Sequence, residues 1–275
     1  MKIHYQVEGP IGIFTLDNGK VNAITPQMHK ELHDHMKSFL SDNSVRCGVM
    51  TGAGQQAFSG GDDIKTDWGY PDLHDTLMAH FSPSSEDRTT IRPGWERELR
   101  AIDRYKPIVG ALNGPALGMG FFYVMTFMDI RVATPNAFLS LPEIAYGMGG
   151  IGGSTQLWRH LPPSVAMDMV LLGEKLTAEQ AQTYGLYKKI VDHPDLMETA
   201  LGYARKIASF PELGVRVEME GFYRSMDMSR RDNSAFMEHL YRLQRAAYLT
   251  GENASAHPLD PTSPEQQKIK DPRIK

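Results

Sequence analysis

The sequence is short of several things that would place it quickly. It has one cysteine, Cys47, so no internal disulfide can form. That thiol sits in the apolar run Cys47-Gly48-Val49-Met50, which reads as buried. No stretch approaches the roughly 18 uncharged apolar residues needed to cross a bilayer. The first residues, Met1-Lys2-Ile3-His4-Tyr5, begin at once with strand-like alternation and lack an apolar signal region. Together these features predict a cytoplasmic protein with no membrane partner. Neither sign of charge dominates: 29 Lys and Arg stand against 33 Asp and Glu, a formal charge of −4. Nothing in that balance would draw the chain to a phosphate backbone, and nucleic acid is not an expected partner. Neither G-x-x-x-x-G-K-S/T nor G-x-S-x-G occurs, which leaves phosphate-loop and serine-hydrolase chemistry without a motif. What remains is ordinary. At 275 residues, 41% apolar and 23% charged, the chain can bury one sizeable core.

Alternating apolar residues at 3, 5 and 7, a Glu8-Gly9-Pro10 break and a second run over 11–16 predict an antiparallel hairpin. Thr25 as cap and Pro26 at the first position open a helix over 26–40, with the stripe Met28, Leu32, Met36, Phe39 and Leu40 at helical spacing. Strands are expected over 45–51, 107–112, 129–133 and 186–191, and helices over 95–105, 118–127, 154–160, 165–172, 178–184 and 195–209. Residues 66–94 lose apolar periodicity and read as a mobile, lid-like segment with one helical piece near 73–81. The expected class is α/β, with a strand-and-helix core over 1–190, a helical region over 191–251 and a polar, Pro-rich tail over 252–275.

Two patterns point to ligands and are weak. His29, His33 and His35 share the first helix, and His29 and His33 stand at i, i+4 as a metal pair would, but the intervening glutamate is out of place for the metalloprotease motif. A solvated helix face is the expectation, and no metal site is predicted. Gly147-Met148-Gly149-Gly150-Ile151-Gly152 matches G-x-G-x-x-G. It lacks the hydrophobic strand before it and the acidic strand end after it that dinucleotide binding requires.

The segments Ala57-Phe58-Ser59-Gly60-Gly61-Asp62-Asp63-Ile64-Lys65 and Asn113-Gly114-Pro115-Ala116-Leu117-Gly118-Met119-Gly120 carry more. They are followed in order by Asp129-Ile130-Arg131-Val132-Ala133, Phe138-Leu139-Ser140-Leu141-Pro142-Glu143, Gly152-Gly153-Ser154-Thr155-Gln156-Leu157 and Leu172-Gly173-Glu174-Lys175-Leu176-Thr177-Ala178-Glu179-Gln180-Ala181. This ordered set, from about residue 11 to 209, resembles the crotonase superfamily, the enoyl-CoA hydratase and isomerase family. The resemblance implies a spiral of ββα turns with a helical C-terminal trimerisation region, a homotrimer or dimer of trimers, and an acyl-CoA substrate. It implies no permanently bound cofactor, coenzyme A entering as part of the thioester.

The chemistry the resemblance implies is stabilisation of a thioester enolate by two backbone N–H donors, which by ungapped match are Asp62 and Met119; a one-residue gap would substitute Gly61. Hydratases of the family use two glutamates. Here the second falls on Glu143, the implied acid/base, whereas the first falls on Phe122, which cannot exchange a proton. Simple two-carboxylate hydration is therefore in question, and proton transfer across an allylic system by one base comes forward. Returning a glutamate to position 122 is expected to raise hydration. Asp62 and Asp63 lie beside the first turn, where either side chain could approach substrate. The coenzyme groove is implied at Ala23, Asp62, Asp63 and Ile64, with Lys65 near the phosphates. The bulk of Phe121, Phe122, Tyr123, Trp68 and Tyr70 suggests a ring-bearing or short acyl group, and Phe121, Phe122, Ile144 and Ile151 are expected to enclose Glu143. Two alternatives stand: a carbon–carbon hydrolase acting on a cyclic diketone, disfavoured because no histidine lies between Phe81 and Arg159, and a non-catalytic crotonase-like subunit.

Overall fold

A computed structural model describes residues 2–66, 72–74, 99 and 101–250, the last three without side-chain detail. Among the described residues the elements are β1 (Lys2–Glu8), β2 (Ile11–Asp17), α1 (Pro26–Ser41), β3 (Cys47–Gly52), β4 (Ile108–Leu112), β5 (Ala116–Leu117), α2 (Met119–Phe127), β6 (Ile130–Ala133) and β7 (Leu139–Ser140). A 3₁₀ turn (Pro142–Tyr146), α3 (Ile151–Ser154), a second 3₁₀ turn (Leu157–Arg159), α4 (Pro163–Leu171), α5 (Ala178–Thr183), β8 (Lys189–Ile190), α6 (His193–Ala208), α7 (Glu212–Ser225) and α8 (Arg230–Thr250) follow.

The main sheet runs β1-β2-β3-β4-β6-β8. The β1–β2 pair is the expected antiparallel hairpin, and every later pairing is parallel. Side-chain alternation sorts this sheet onto two cores. Ile11, Ile13, Cys47, Val49, Val109, Ala111 and Val132 face α6, which contributes Leu196, Ala200 and Ala204. Phe14, Leu16, Met50, Ile108, Leu112 and Ala133 face the other way, into the core that takes in α1 and α2. Burying one such Leu or Phe side chain is worth about 1.5–3 kcal/mol.

After leaving the main sheet, successive turns of the chain add a short piece to a second, narrow layer. β5 pairs with β7, and single bridges join Ser59 to Ala116, Leu139 to Leu176 and Ile24 to Asp62. This repeated strand, short strand, helix pattern is the ββα spiral, and it sets the loop after β3 directly against the loop after β4.

The chain divides into two compact units at 209/210. α6 belongs with the sheet because its small and apolar stripe covers one sheet face. The second unit contains α7 and α8, which pack on each other, Met237 filling the space beside Gly221. Residues 102–105 are not helical. Arg104 is drawn to Asp129 by two hydrogen bonds of 2.7 and 2.9 Å, Lys106 donates to the carbonyls of Phe39 and Asp42 at the end of α1, and Pro107 disfavours a helical residue before it. The strand expected over 186–191 shortens to β8, and the helix expected over 154–160 is replaced by α3 and a 3₁₀ turn. Most of the 66–94 segment, the remainder of the 95–105 helix, Trp68, Tyr70 and the 252–275 tail lie outside the described residues. No helix among the described residues is long and apolar enough to cross a membrane.

Candidate active site

The site is assembled from two turns and one carboxylate. The first turn leaves β3 and runs beside the segment before β5: Phe58 and Ser59 both donate to Pro115 O, and Leu117 donates to Ser59 O at 3.0 Å. Two buried asparagines brace it. Asn22 donates to Ala53 O and Ala57 O, and Asn113 donates to Gly54 O and Ala57 O while accepting from Gly52. Ser59 Oγ donates to Asn22 O and accepts from Gly61 N–H at 3.1 Å. The Gly61 N–H is thereby committed within its own loop.

Asp62 and Met119 stand where these turns meet. A side chain at Gly61 would press on Leu117 O at 2.9 Å and on Met119 N at 3.4 Å, so only glycine lets the two loops touch. Asp62 bridges to Ile24 through its neighbours, Ile24 donating to Gly61 O and Asp63 donating to Ile24 O, which turns the Asp62 N–H away from that pairing. Met119 is the first residue of α2, where backbone N–H groups lack intrahelical acceptors and the helix dipole is positive. Among the described residues neither N–H donates to another group.

Glu143 comes from the 3₁₀ turn that begins at Pro142. Its Oε1 lies against Gly118, in the space a β-carbon there would fill, and its Oε2 is buried with no hydrogen-bond partner among the described residues. Burial raises the Glu143 carboxyl above its ordinary range; its own backbone N–H works in the other direction, and the charge of Asp62 adds to the rise. Of the residues expected around Glu143, Ile151 is partly buried against the core. Ile144 is exposed, and Phe121 and Phe122 are core residues. Phe122 meets Phe127 edge-on at 6.4 Å.

The two aspartates of the first turn separate. Asp63 accepts from Lys65 N–H at 3.0 Å and Thr66 Oγ at 2.9 Å, so its carboxylate caps a turn. Asp62 Oδ1 instead lies 3.0 Å from His29 Nε2. His29, expected on a solvated helix face, is 1% exposed, and its Nδ1 is 2.7 Å from the Tyr123 hydroxyl. The stripe of α1 is wide enough to carry position 29 inward beside Met28 and Leu32, and spacing alone cannot separate the edge of a stripe from its solvent side. No group of three metal-ligating side chains occurs among the described residues. Of the implied coenzyme contacts, Ala23 O accepts from Asn18, Asp62 and Asp63 are part-buried, and Ile64 and Lys65 are exposed on one short turn. The sequence marks His29 as half of a possible metal pair, Asn113 as the start of the second loop motif and Tyr123 as one of several bulky residues, but it points neither to Asn22 nor to the polar partners of these side chains, which lie far away along the chain.

The sequence model of the enoyl-CoA hydratase/isomerase family matches residues 6–246. The chain is similar to a probable enoyl-CoA hydratase of Rhizobium meliloti (strain 1021), 32% identical over 86% of this chain and 87% of that one. It is also similar to the (E)-benzylidenesuccinyl-CoA hydratase of Thauera aromatica, 31% identical over 83% and 84%. Among solved structures, an enoyl-CoA hydratase subunit I from Geobacillus kaustophilus HTA426 superposes with a TM-score of 0.78 at 26% identity, covering 92% of this chain and 93% of that one. A near-complete family match, relatives above 30% identity and the shared spiral fold agree: the chain belongs to the enoyl-CoA hydratase/isomerase family of the crotonase superfamily.

Proposed function

We propose that this enzyme of the acyl-CoA family binds a coenzyme A thioester with its carbonyl oxygen between the N–H groups of Asp62 and Met119, and uses Glu143 to move a proton at the α-carbon. The observation that carries the reading is the placement of a buried carboxylate oxygen of Glu143, without a hydrogen-bond partner among the described residues, beside two touching turns in which the N–H groups of Asp62 and Met119 have no acceptor among those residues. Charge develops on the thioester oxygen as the enolate forms, and each fixed donor in a dry site is worth about 2.7–4 kcal/mol at that stage. The dipole of α2 acts on the same oxygen. A carboxyl whose proton affinity is raised by burial is suited to take and return a carbon-bound proton near neutral pH.

The groove for the coenzyme is assigned to the backbone from Ala23 and from Asp62 to Ile64, with Lys65 toward the phosphates. Solvent-exposed Phe222, Tyr241 and Leu243 on the C-terminal helices support a partner surface, and the proposed assembly is a homotrimer or dimer of trimers. Light scattering at micromolar concentration tests the assembly, a monomer being the adverse result. The activity is tested with a panel of short, branched and aryl-substituted acyl-CoA thioesters in deuterated water. Turnover and deuterium uptake at the α-carbon are expected, and neither, across the panel, removes the reading.

A further inference from the structure

The mechanism above uses only the backbone of Asp62. Its side chain is built into a buried chain of three polar groups that enolate stabilisation does not require. Tyr123, wholly buried on α2, stands 2.7 Å from His29 Nδ1, and His29, wholly buried on α1, reaches Asp62 Oδ1 at 3.0 Å. An ionised carboxylate can only accept, so Nε2 carries the hydrogen, and in the neutral ring Nδ1 accepts from the Tyr123 hydroxyl. Asp62 itself is 32% exposed along its side chain, so the tether has a buried end and an open end. With Oδ1 held, Oδ2 takes no hydrogen bond among the described residues.

The turn that carries this open end meets the turn that carries Glu143's neighbour. Asp62 follows Gly61, whose Cα faces Leu117 O and Met119 N, and Glu143 Oε1 rests against Gly118 between those two residues in the chain. The charge of Asp62 is felt at Glu143. The residue at position 122, by contrast, is a phenylalanine packed in the aromatic core, and no proton passes through it.

We infer that, in hydration of a 2-enoyl thioester, the carboxylate of Asp62 is the second proton-transfer group of this site, standing in for the one absent at Phe122, with His29 and Tyr123 as positioning residues. This rests on the acyl-CoA reading above. In the hydration direction Asp62 takes a proton from water as the water oxygen bonds to the β-carbon. The π pair of the α,β double bond moves onto the thioester, giving an enolate held by the two N–H groups. The carbonyl re-forms as the α-carbon takes a proton from protonated Glu143. The proton on Asp62 returns to Glu143 by way of solvent, so one water is consumed and no electrons are gained or lost. Burial raises the proton affinity of Glu143, which suits it to carry the proton that the α-carbon receives.

The test separates enolisation from hydration. Deuterium exchange at the α-carbon of saturated butyryl-CoA needs Glu143 and the N–H pair, whereas hydration of the best 2-enoyl-CoA in the panel also needs Asp62. Asp62→Asn keeps the backbone donor and an oxygen that can accept from His29. Its hydration kcat is expected to fall by roughly 10²–10⁴-fold, a clearly larger factor than the accompanying fall in exchange. Tyr123→Phe should lower hydration kcat by about three- to tenfold and have no further effect in the Asp62→Asn background, because it acts through that carboxylate. Hydration by Asp62→Asn at the parent rate, equal loss of exchange and hydration, additive effects of the two substitutions, or a parent enzyme that exchanges without hydrating any 2-enoyl thioester would each overturn the inference and leave the acyl-CoA reading standing. A parent that does neither removes both.

Discussion

Glu143 occupies the space that a side chain at Gly118 would fill. Residue 118 has φ 51° and ψ −116°, a conformation open to glycine, and it lies 25 positions before the carboxylate it accommodates in the sequence yet in contact with it in the fold. Gly118→Ala should therefore fail twice over. Backbone strain costs about 1–3 kcal/mol, and the new methyl displaces Oε1 from its place against Gly118. A fall in kcat of at least about tenfold, with a lowered melting temperature, is the expected outcome; parent-like kinetics would show that Glu143 need not sit there.

Glu143→Gln separates activity from stability. Removing the titrating group should lower turnover of the best thioester by roughly 10²–10⁴-fold. Stability should move the other way. Burial raises the folded-state value above the ordinary 4.5 of the unfolded chain, so the folded protein holds this proton more tightly. The stabilising contribution is complete below that ordinary value and is lost as pH rises through the folded value. A glutamine cannot ionise and escapes that loss. Melting temperatures of variant and parent are expected to diverge in favour of the variant as pH is raised from about 4 to 7; a gap that closes with rising pH would contradict the assigned burial effect.

On the sequence alone, Phe122→Glu restores a glutamate and is expected to raise hydration. The fold reverses that expectation. Phe122 is almost wholly buried against Phe127 and Tyr123, so the change removes a packed ring and buries a carboxylate among aromatics. Loss of the ring alone is worth about 3–5 kcal/mol, which at roughly 2–4 °C per kcal/mol lowers the melting temperature by at least about 6 °C. A thermal scan decides it, and a gain in hydration with an unchanged melting temperature would show that position 122 opens onto substrate.

Cys47 should be inert in the native enzyme. Burial pushes its thiol up to about 12, and the nearby Asp129 carboxylate acts in the same direction. At pH 8 roughly one thiol in ten thousand is ionised on that basis. Labelling by a thiol-reactive disulfide is expected only as the protein unfolds, with a rate that tracks denaturant concentration. Rapid labelling without denaturant would mean that the face of the sheet beneath α6 opens easily.

The sequence by itself determined the elements whose cause is local. Alternation over residues 3–16 specified the hairpin because a strand exposes every second side chain to the same face. Thr25 and Pro26 specified the start of α1, where Thr25 Oγ accepts from Met28 N–H. The ordered glycine turns around Gly61 and Gly118 specified where two loops could approach. Tertiary structure decided the rest, since the groups concerned meet across long stretches of chain. His29 is 33 residues from Asp62 and 94 from Tyr123, and its own neighbours in sequence say nothing about either. Residues 102–105 look helical until Arg104 and Lys106 are claimed by Asp129 and the end of α1. Periodicity records which face of an element is apolar; it carries no information about which buried polar group will find another, because that pairing is fixed by the path of the chain between them.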